Sequence, residues 1–382
     1  MIIHSLLDTD LYKLTVMQFA YFNFKNDHVR YDFYCRNKSV NLGFLKEKIE
    51  EQIDHLCRLK FTTEEINYLR KVKNGIFKED FLSYLSNFRL NSKNVKITNE
   101  EGNLKIQISG RWVETVLFEI YILSIVNELY FKSIDPNPNY ENGRSFLKNE
   151  IKKIKNTSLK FSEFGTRRRF SHSWQKEVIK ILKQECSNMI GTSNLLFAKD
   201  LKLEPIGTHP HECFAFYQGK YDYFNFQDKF LNDWFNFYGE TLAIALTDIY
   251  RTEDFLKSFN KDLSEKYKGL RQDSGDPIKW LNKVVNHFHE MGIDPKRKTV
   301  IFSDSLNFDK ALEIHKTAET VCQDFYGIGT FLTNNLGPKS LNIVMKMTSV
   351  NKKPVVKISD EPFKAIGDES TLKMIKEKIG IL

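Results

Sequence analysis

The spacing of hydrophobic and polar positions along this 382-residue chain changes from one region to the next, and the changes mark out its organisation. In DLYKLTVMQFAYF (10–22) the apolar residues recur at helical intervals behind Asp8 or Thr9 as a cap, which predicts an N-terminal helix. VRYDFYCR (29–36) alternates as a half-buried strand does, and FTTEEINYLRKV (61–72) opens with Thr62 and Glu65 at the spacing of a capping box. NVKITNEEGNLKIQIS (94–109) reads as two strands turning at Glu101-Gly102. RWVETVLFEIYILSIVNELYF (111–131) reads as one long, mostly buried helix, and DPNPNYENGR (135–144) as a linker.

Beyond about residue 160 the pattern becomes short apolar runs, each followed by a turn and a helical stretch: KFSEFG, SNMIGTSN, LEPIGTH, LAIALTD, KGLRQDSGD, TVIFSDS and DFYGIGT. Such units predict successive parallel strands joined by helices, as in a (β/α) barrel or a doubly wound sheet. Glycines and polar residues gather at the carboxyl end of each run, where both architectures build their sites. The tail LNIVMKMTSVNKKPVVKIS alternates again, as an antiparallel hairpin. It most simply returns to the N-terminal part, which predicts a discontinuous α/β domain of residues 1–135 plus 340–382 and an α/β barrel domain of residues 136–339.

Composition excludes several classes. With 41% hydrophobic and 13% aromatic residues the chain has the apolar surface to fold, which excludes a disordered protein. The net charge of +8 is spread through mixed stretches such as KEKIEEQIDHLCRLK, which read as solvated helix faces; the one dense basic run is TRRRF (166–170). Five scattered cysteines (35, 57, 186, 213, 322) without a CxxC pair point to a reducing compartment and away from structural zinc. TVLFEIYILSIV is interrupted by Glu119 and too short to span a bilayer, so the expectation is a soluble, cytoplasmic protein.

Several loops carry chemistry, each with a plain structural alternative. In GLRQDSGDP (269–277), Arg271 suits a phosphate or a π-face and Asp273 suits sugar hydroxyls or a cation; the alternative is a Ser/Asp cap on the helix that Pro277 opens. YGIGTFLTN (326–334) offers Gly329 and Thr330 to a phosphate. EFGTRRRF (163–170) places Phe164 beside three arginines that cannot all face inward. Asp248 and Asp304 stand at strand ends, where helix capping is the common role. In IGTHPHE (206–212), His209 and His211 could bind zinc, fill the core, or act as base or nucleophile, and spacing does not choose among these.

Taken in order, LLDTDLYKLTVMQFAY, EFGTRRRFS, GTSNLLFAKDLKLEPIGTHPHE, LTDIYRTEDF, GLRQDSGDP, IFSDSLNFDKA and YGIGTFLTN resemble the nicotinate phosphoribosyltransferase family over residues 6 to 365. The resemblance implies an irregular α/β barrel joined to a second α/β domain. It also implies synthesis of nicotinate mononucleotide and diphosphate from nicotinate and 5-phosphoribosyl 1-diphosphate, the first step of NAD salvage from nicotinate, with coupled ATP hydrolysis and Mg²⁺ through metal ligands it does not name. His211 matches the position that family phosphorylates, with Glu212 beside it and His209 as a departure from the commoner small or amide residue. Tyr12, Phe164 and Arg167 match the pyridine pocket, Arg271 and Asp273 the diphosphate and ribose contacts, and Gly329 with Thr330 the 5′-phosphate loop. Thr208, Asp248, Ser274 and Asp304 are expected to complete the substrate contacts. An arginine-rich pocket with no spare carboxylate should prefer the acid over nicotinamide. The competing expectations are a nicotinamide-specific relative and a basic nucleic-acid-binding protein without turnover; as an enzyme it would take small-molecule substrates only, bind no nucleic acid or membrane, and be a monomer or homodimer.

Overall fold

The structure is a computed structural model that describes every residue except Lys38, Pro362, Phe363 and Leu382. The chain forms two compact units: Met1–Asn26, Tyr31–Gly207 and Ile328–Met345 make the first, and Asp27–Arg30, Thr208–Gly327 and Lys346–Leu382 the second.

In the first unit, helix α1 (Leu11–Asn23) forms where its periodicity places it. Its cap position is Asp10, not Asp8 or Thr9; the Asp10 carboxylate accepts from the Ser193 hydroxyl (2.8 Å), and Asp8 is held by a guanidinium. Strand β1 (His28–Cys35) is followed by the Thr62 capping box, closed by Glu65 N–H to Thr62 Oγ1 (3.2 Å) and Thr62 N–H to Glu65 Oε2 (2.8 Å). Strands β2 (Val95–Glu100) and β3 (Asn103–Arg111) pair antiparallel from Val95 opposite Ile108 to Glu100 opposite Asn103. Glu101 and Gly102 turn the chain with φ of 51° and 90°, the handedness that matches strand twist.

The long helix expected over 111–131 is broken into Trp112–Thr115 and α2 (Phe118–Ile134), the latter buried on every side from Phe118 to Glu128. The expected linker holds over 135–139 and then gives way to α3 (Tyr140–Ile154), because Asn139 Oδ1 accepts from Asn142 N–H (3.0 Å) and caps a helix there. Strands β4 (Phe161–Glu163) and β5 (Met189–Thr192) run parallel around helix α4 (His172–Glu185). LEPIGTH contributes no strand, only a bridge from Pro205 to Thr192, since proline has no N–H to extend the ladder.

The second unit contains α5 (His211–Lys220), α6 (Gln227–Tyr238), β6 (Ile244–Leu246), α7 (Thr252–Ser258), β7 (Gly269–Gln272), α8 (Pro277–Glu290), β8 (Thr299–Phe302), α9 (Phe308–Ala318) and β9 (Gln323–Ile328). Strands β6, β7, β8 and β9 lie side by side and parallel, with Gly269 opposite both Ile244 and Thr299, and Thr299 opposite Gln323. This register ends the strands at one level, so Asp248, Asp273 and Asp304 emerge along a common edge. A Cβ on Gly269 would lie 1.7 Å from the Thr299 carbonyl oxygen, so only glycine allows the approach. Strand β10 (Ile343–Val350) turns back into β11 (Lys353–Pro354), the hairpin its alternation predicts, cut short at Pro354.

The architecture is therefore mixed α/β with parallel and antiparallel sheets. Among the described residues no sheet closes on itself. No helix is long and apolar enough to cross a membrane among the described residues.

Candidate active site

In the second unit, α5 begins at His211, and the helix is buried from His211 to Gly219. Its first residue meets the common edge of the parallel strands. His211 Nε2 lies 2.7 Å from Asp248 Oδ1, and Nδ1 lies 3.6 Å from Asp273 Oδ2. The other Asp248 oxygen accepts from Ser274 Oγ (2.7 Å) and Lys357 Nζ (2.9 Å), and the Lys357 ammonium also stands 2.8 Å from His211 Nε2.

Burial lowers the His211 ring to about 4, with the Lys357 charge acting in the same direction against the pull of Asp248. This shift favours the neutral imidazole at pH 7. Burial would raise Asp248, but Lys357, His211 and Ser274 outweigh it and hold the carboxyl well below the usual range. Asp273 is likewise lowered, burial being outweighed by Arg271 and His211.

Neither Asp248 nor Asp273 caps a helix. Asp276 caps α8 through Ile278 N–H (2.9 Å) and Lys279 N–H (2.8 Å), and Asn307 caps α9 through Lys310 N–H (2.8 Å). Asp304 pairs with Lys364 Nζ (2.9 Å), and Asp273 accepts from Ser303 Oγ (3.0 Å). Arg271 donates to Thr208 Oγ1, while its buried Nε has no acceptor among the described residues. Glu212 is buried in the first turn of α5. His209 is fully buried among Phe214, Phe230 and Trp234, and neither ring nitrogen has a hydrogen-bond partner among the described residues. Burial and Arg271 lower its ring well below the ordinary value. Both histidines of IGTHPHE are buried.

In the first unit the three arginines of TRRRF go three ways. Arg169 is fully buried and grips Asp8 with two bonds of 2.7 and 2.8 Å; Arg168 Nε donates to the Ile343 carbonyl (3.1 Å). Arg167 keeps 46% of its side chain exposed, beside the half-buried Phe164. Glu119 Oε1 lies 3.9 Å from Arg167, and Asp10 feels its charge, so the expected absence of carboxylates around this arginine is corrected. Tyr12 is half-buried with the Lys13 ammonium 5.5 Å from its ring centroid. Glu163 anchors the loop that carries Phe164 and Arg167: it accepts from Gly165 N–H (2.5 Å), Gln175 Nε2 (3.0 Å) and Thr192 Oγ1 (2.6 Å), and burial pushes its carboxyl up to about 7. A Cβ on Gly329 would come 2.8 Å from the Phe164 carbonyl oxygen, so Gly329 lies against that same loop, with Thr330 next in the chain.

Sequence reasoning missed Lys357 and Glu163. The charge of Lys357 is one among many, 146 positions from His211, and a lone glutamate at a strand end carries no motif.

His211, Asp248 and Asp273 present ligand atoms within 4.8 Å of one another, the geometry of a candidate cation site. The Lys357 ammonium already lies against two of the three, and Mg²⁺ asks for an octahedron of oxygens at about 2.0–2.1 Å. These residues do not fit a resident Mg²⁺.

A neutral imidazole between two carboxylates, with an ammonium and a part-buried guanidinium around it, has the chemistry of a group-transfer site for anionic substrates. The sequence pattern of the nicotinate phosphoribosyltransferase (NAPRTase) family matches residues 159–381, and that of the nicotinate phosphoribosyltransferase (NAPRTase) N-terminal domain matches residues 7–127. The chain is 38% identical to a nicotinate phosphoribosyltransferase of Ralstonia nicotianae over 100% of both chains, and 40% identical to one of Acinetobacter baumannii over 97% of this chain and 95% of that one. A crystal structure of the Porphyromonas gingivalis nicotinate phosphoribosyltransferase superposes with a TM-score of 0.96 at 32% identity, covering 100% of both chains. This chain belongs to the nicotinate phosphoribosyltransferase family.

Proposed function

We propose that the chain joins nicotinate to the anomeric carbon of 5-phosphoribosyl 1-diphosphate, releasing diphosphate, and couples this to ATP hydrolysis through a phosphate carried on His211. Full-length likeness to relatives named for the transferase supports the first part. A single observation carries the second: a buried neutral His211 whose Nε2 is 2.7 Å from the Asp248 carboxylate. That carboxylate accepts the Nε2 proton and leaves a lone pair on Nδ1. Nδ1 attacks the γ-phosphorus, an N–P bond forms, the bond to the bridging oxygen breaks, and ADP leaves with its electron pair.

In the ribosyl step the pyridine nitrogen attacks the anomeric carbon as the carbon–oxygen bond to diphosphate breaks. We assign Arg271, whose buried Nε lacks an acceptor, to the diphosphate, and Asp273 to the ribose, with Thr208, Ser274, Asp248 and Asp304 completing the contacts. Phe164, Tyr12 and Arg167 take the pyridine and its carboxylate, and Gly329 with Thr330 the 5′-phosphate. Glu212 stays a candidate for assisting hydrolysis of the phosphorylated ring. Mg²⁺ enters with the phosphates of its substrates, in keeping with the poor fit of a resident ion. The four parallel strands support reading this region as part of an irregular barrel, with a discontinuous α/β domain of 1–135 plus 340–382 and a barrel domain of 136–339 as the proposed organisation; the compact units divide the chain at other positions. The free cysteines support a cytoplasmic location, and the protein is read as a monomer or homodimer. Glu119 and Asp10 near Arg167 favour nicotinamide, since they offset the charge that would select a carboxylate, but Glu119 is itself paired more closely with the buried Lys13.

The test measures product from labelled nicotinate with and without ATP, with nicotinamide as competitor, and the fate of γ-labelled ATP. Wild type and His209→Phe should carry an acid-labile, alkali-stable label, and His211→Ala none. Label persisting in His211→Ala rejects the assignment.

A further inference from the structure

The contact that the reaction does not explain is Lys357. Its side chain is 10% exposed, and its ammonium touches both members of the His211–Asp248 pair. The segment bearing it is tied to the helix that bears His211. Gln218, on α5 and fully buried, accepts from Val356 N–H (2.6 Å) and donates to the Val356 carbonyl (3.2 Å). Lys357 itself is bonded both ways to Ile366, each at 2.9 Å, and Ile358 N–H donates to the Ile249 carbonyl just past Asp248 (2.9 Å). A Cβ on Gly219 would lie 2.7 Å from Val350 and Val355, so this tail packs directly on α5. The ammonium is thus delivered to the ring by fixed backbone.

Two neighbours compete for one ring nitrogen. An ammonium only donates and a carboxylate only accepts, yet Lys357 and Asp248 both stand within hydrogen-bond distance of Nε2. Both are satisfied only if Nε2–H points to Oδ1 while the ammonium gives its protons to Oδ2, where Ser274 also donates. Oδ2 is then saturated, and Oδ1 is aimed at the ring. Without the ammonium the ring would lie between two carboxylates, Asp248 at Nε2 and Asp273 at Nδ1, which together favour a doubly protonated imidazolium with no lone pair.

We propose that Lys357 is a positioning residue for His211: it orients Asp248 and excludes a second ring proton, so that Nε2 carries the sole proton and Nδ1 keeps its lone pair. The proposal rests on His211 as the phosphate carrier, but its test does not need ATP. The charged and titratable groups around the ring are Asp248, Asp273 and Lys357, with Arg271 and His209 beyond them.

The experiment is ¹⁵N NMR of the full chain labelled at histidine, with the His211 ring assigned from the spectrum of His211→Gln. Wild type should show a neutral ring protonated at Nε2 at pH 7. In Lys357→Met the midpoint of ring protonation should rise by about one pH unit or more, the acid limb of label transfer from ATP should move with it, and Lys357→Arg should restore most of both. A doubly protonated or Nδ1-protonated ring in wild type overturns the proposal without any variant, as does an unchanged midpoint in Lys357→Met. If ATP never labels His211 while the ring behaves as stated, the phosphorylation reading fails and the positioning role stands.

Discussion

Replacing Asp248 by asparagine changes one atom and should remove most phosphoryl transfer to His211. The Oδ2 position is surrounded by donors, Ser274 Oγ at 2.7 Å and Lys357 Nζ at 2.9 Å, so the amide oxygen must settle there. The amide NH₂ then faces Nε2 at the 2.7 Å now spanned by Oδ1. A donor opposite Nε2 forces that nitrogen to accept and sends the ring proton to Nδ1, the atom meant to attack phosphorus. Loss of the productive tautomer in a comparable Asp-His pair costs about 10⁴ in rate, equivalent to about 5 kcal/mol of barrier. Single-turnover transfer from γ-labelled ATP reads this directly, with folding checked by an unchanged melting curve. ATP-independent synthesis should fall less, because it loses only the substrate contact assigned to Asp248 and not the nucleophile. Label transfer within about tenfold of wild type in a folded Asp248→Asn protein would refute the tautomer argument.

Arg167→Ala should raise the KM for nicotinate by about 10- to 100-fold while that for phosphoribosyl diphosphate moves little, the loss of one charge-assisted contact; equal rises would place this arginine elsewhere. Arg169→Met should destabilise the fold by about 3–5 kcal/mol in urea unfolding, because it strands the buried Asp8, and adding Asp8→Asn should recover part of the loss. Glu163, raised from 4.5 to about 7, keeps a proton in the folded state that the unfolded chain releases. Its contribution is therefore full below pH 4.5 and is lost as pH rises through 7, on the order of 3 kcal/mol. Glu163→Gln should flatten that slope of stability against pH, and an undiminished slope would assign it to another group.

The legible parts of the fold are those set by local chemistry. The capping box at Thr62, the turn at Glu101-Gly102 and most of the parallel strands follow from spacing and from residues that need no distant partner. Where a partner lies far off, the pattern misleads: Asp8 looks like a helix cap because nothing nearby announces Arg169, 161 positions later. Pro205 ends a run that looks like a strand, and Asn139 starts a helix in what looks like a linker. At the site, the residues alone left His209 and His211 open and made a helix cap the common role for Asp248; the family resemblance chose His211, and neither said which residues touch. Lys357 was out of reach because its meaning lies in the tail's docking on α5 through Gln218, a contact with no signature in either segment.

The Asp8–Arg169 pair also bears on how the protein is made. Ile2, Ile3, Leu6 and Leu7 are at most 2% exposed in the finished fold, and the carboxylate that follows them needs a guanidinium 161 residues downstream. At ribosomal speeds of about 5–20 residues per second, roughly ten to thirty seconds pass between the synthesis of the two. During that interval residues 2–6 can already meet part of their seat, at Gln52, His55, Glu65 and Tyr121, while Asp8 still lacks its guanidinium. The pair can close only after the chain has passed Arg169, so the buried charge of Asp8 is satisfied late in this unit's assembly, after the apolar residues beside it have found their first neighbours.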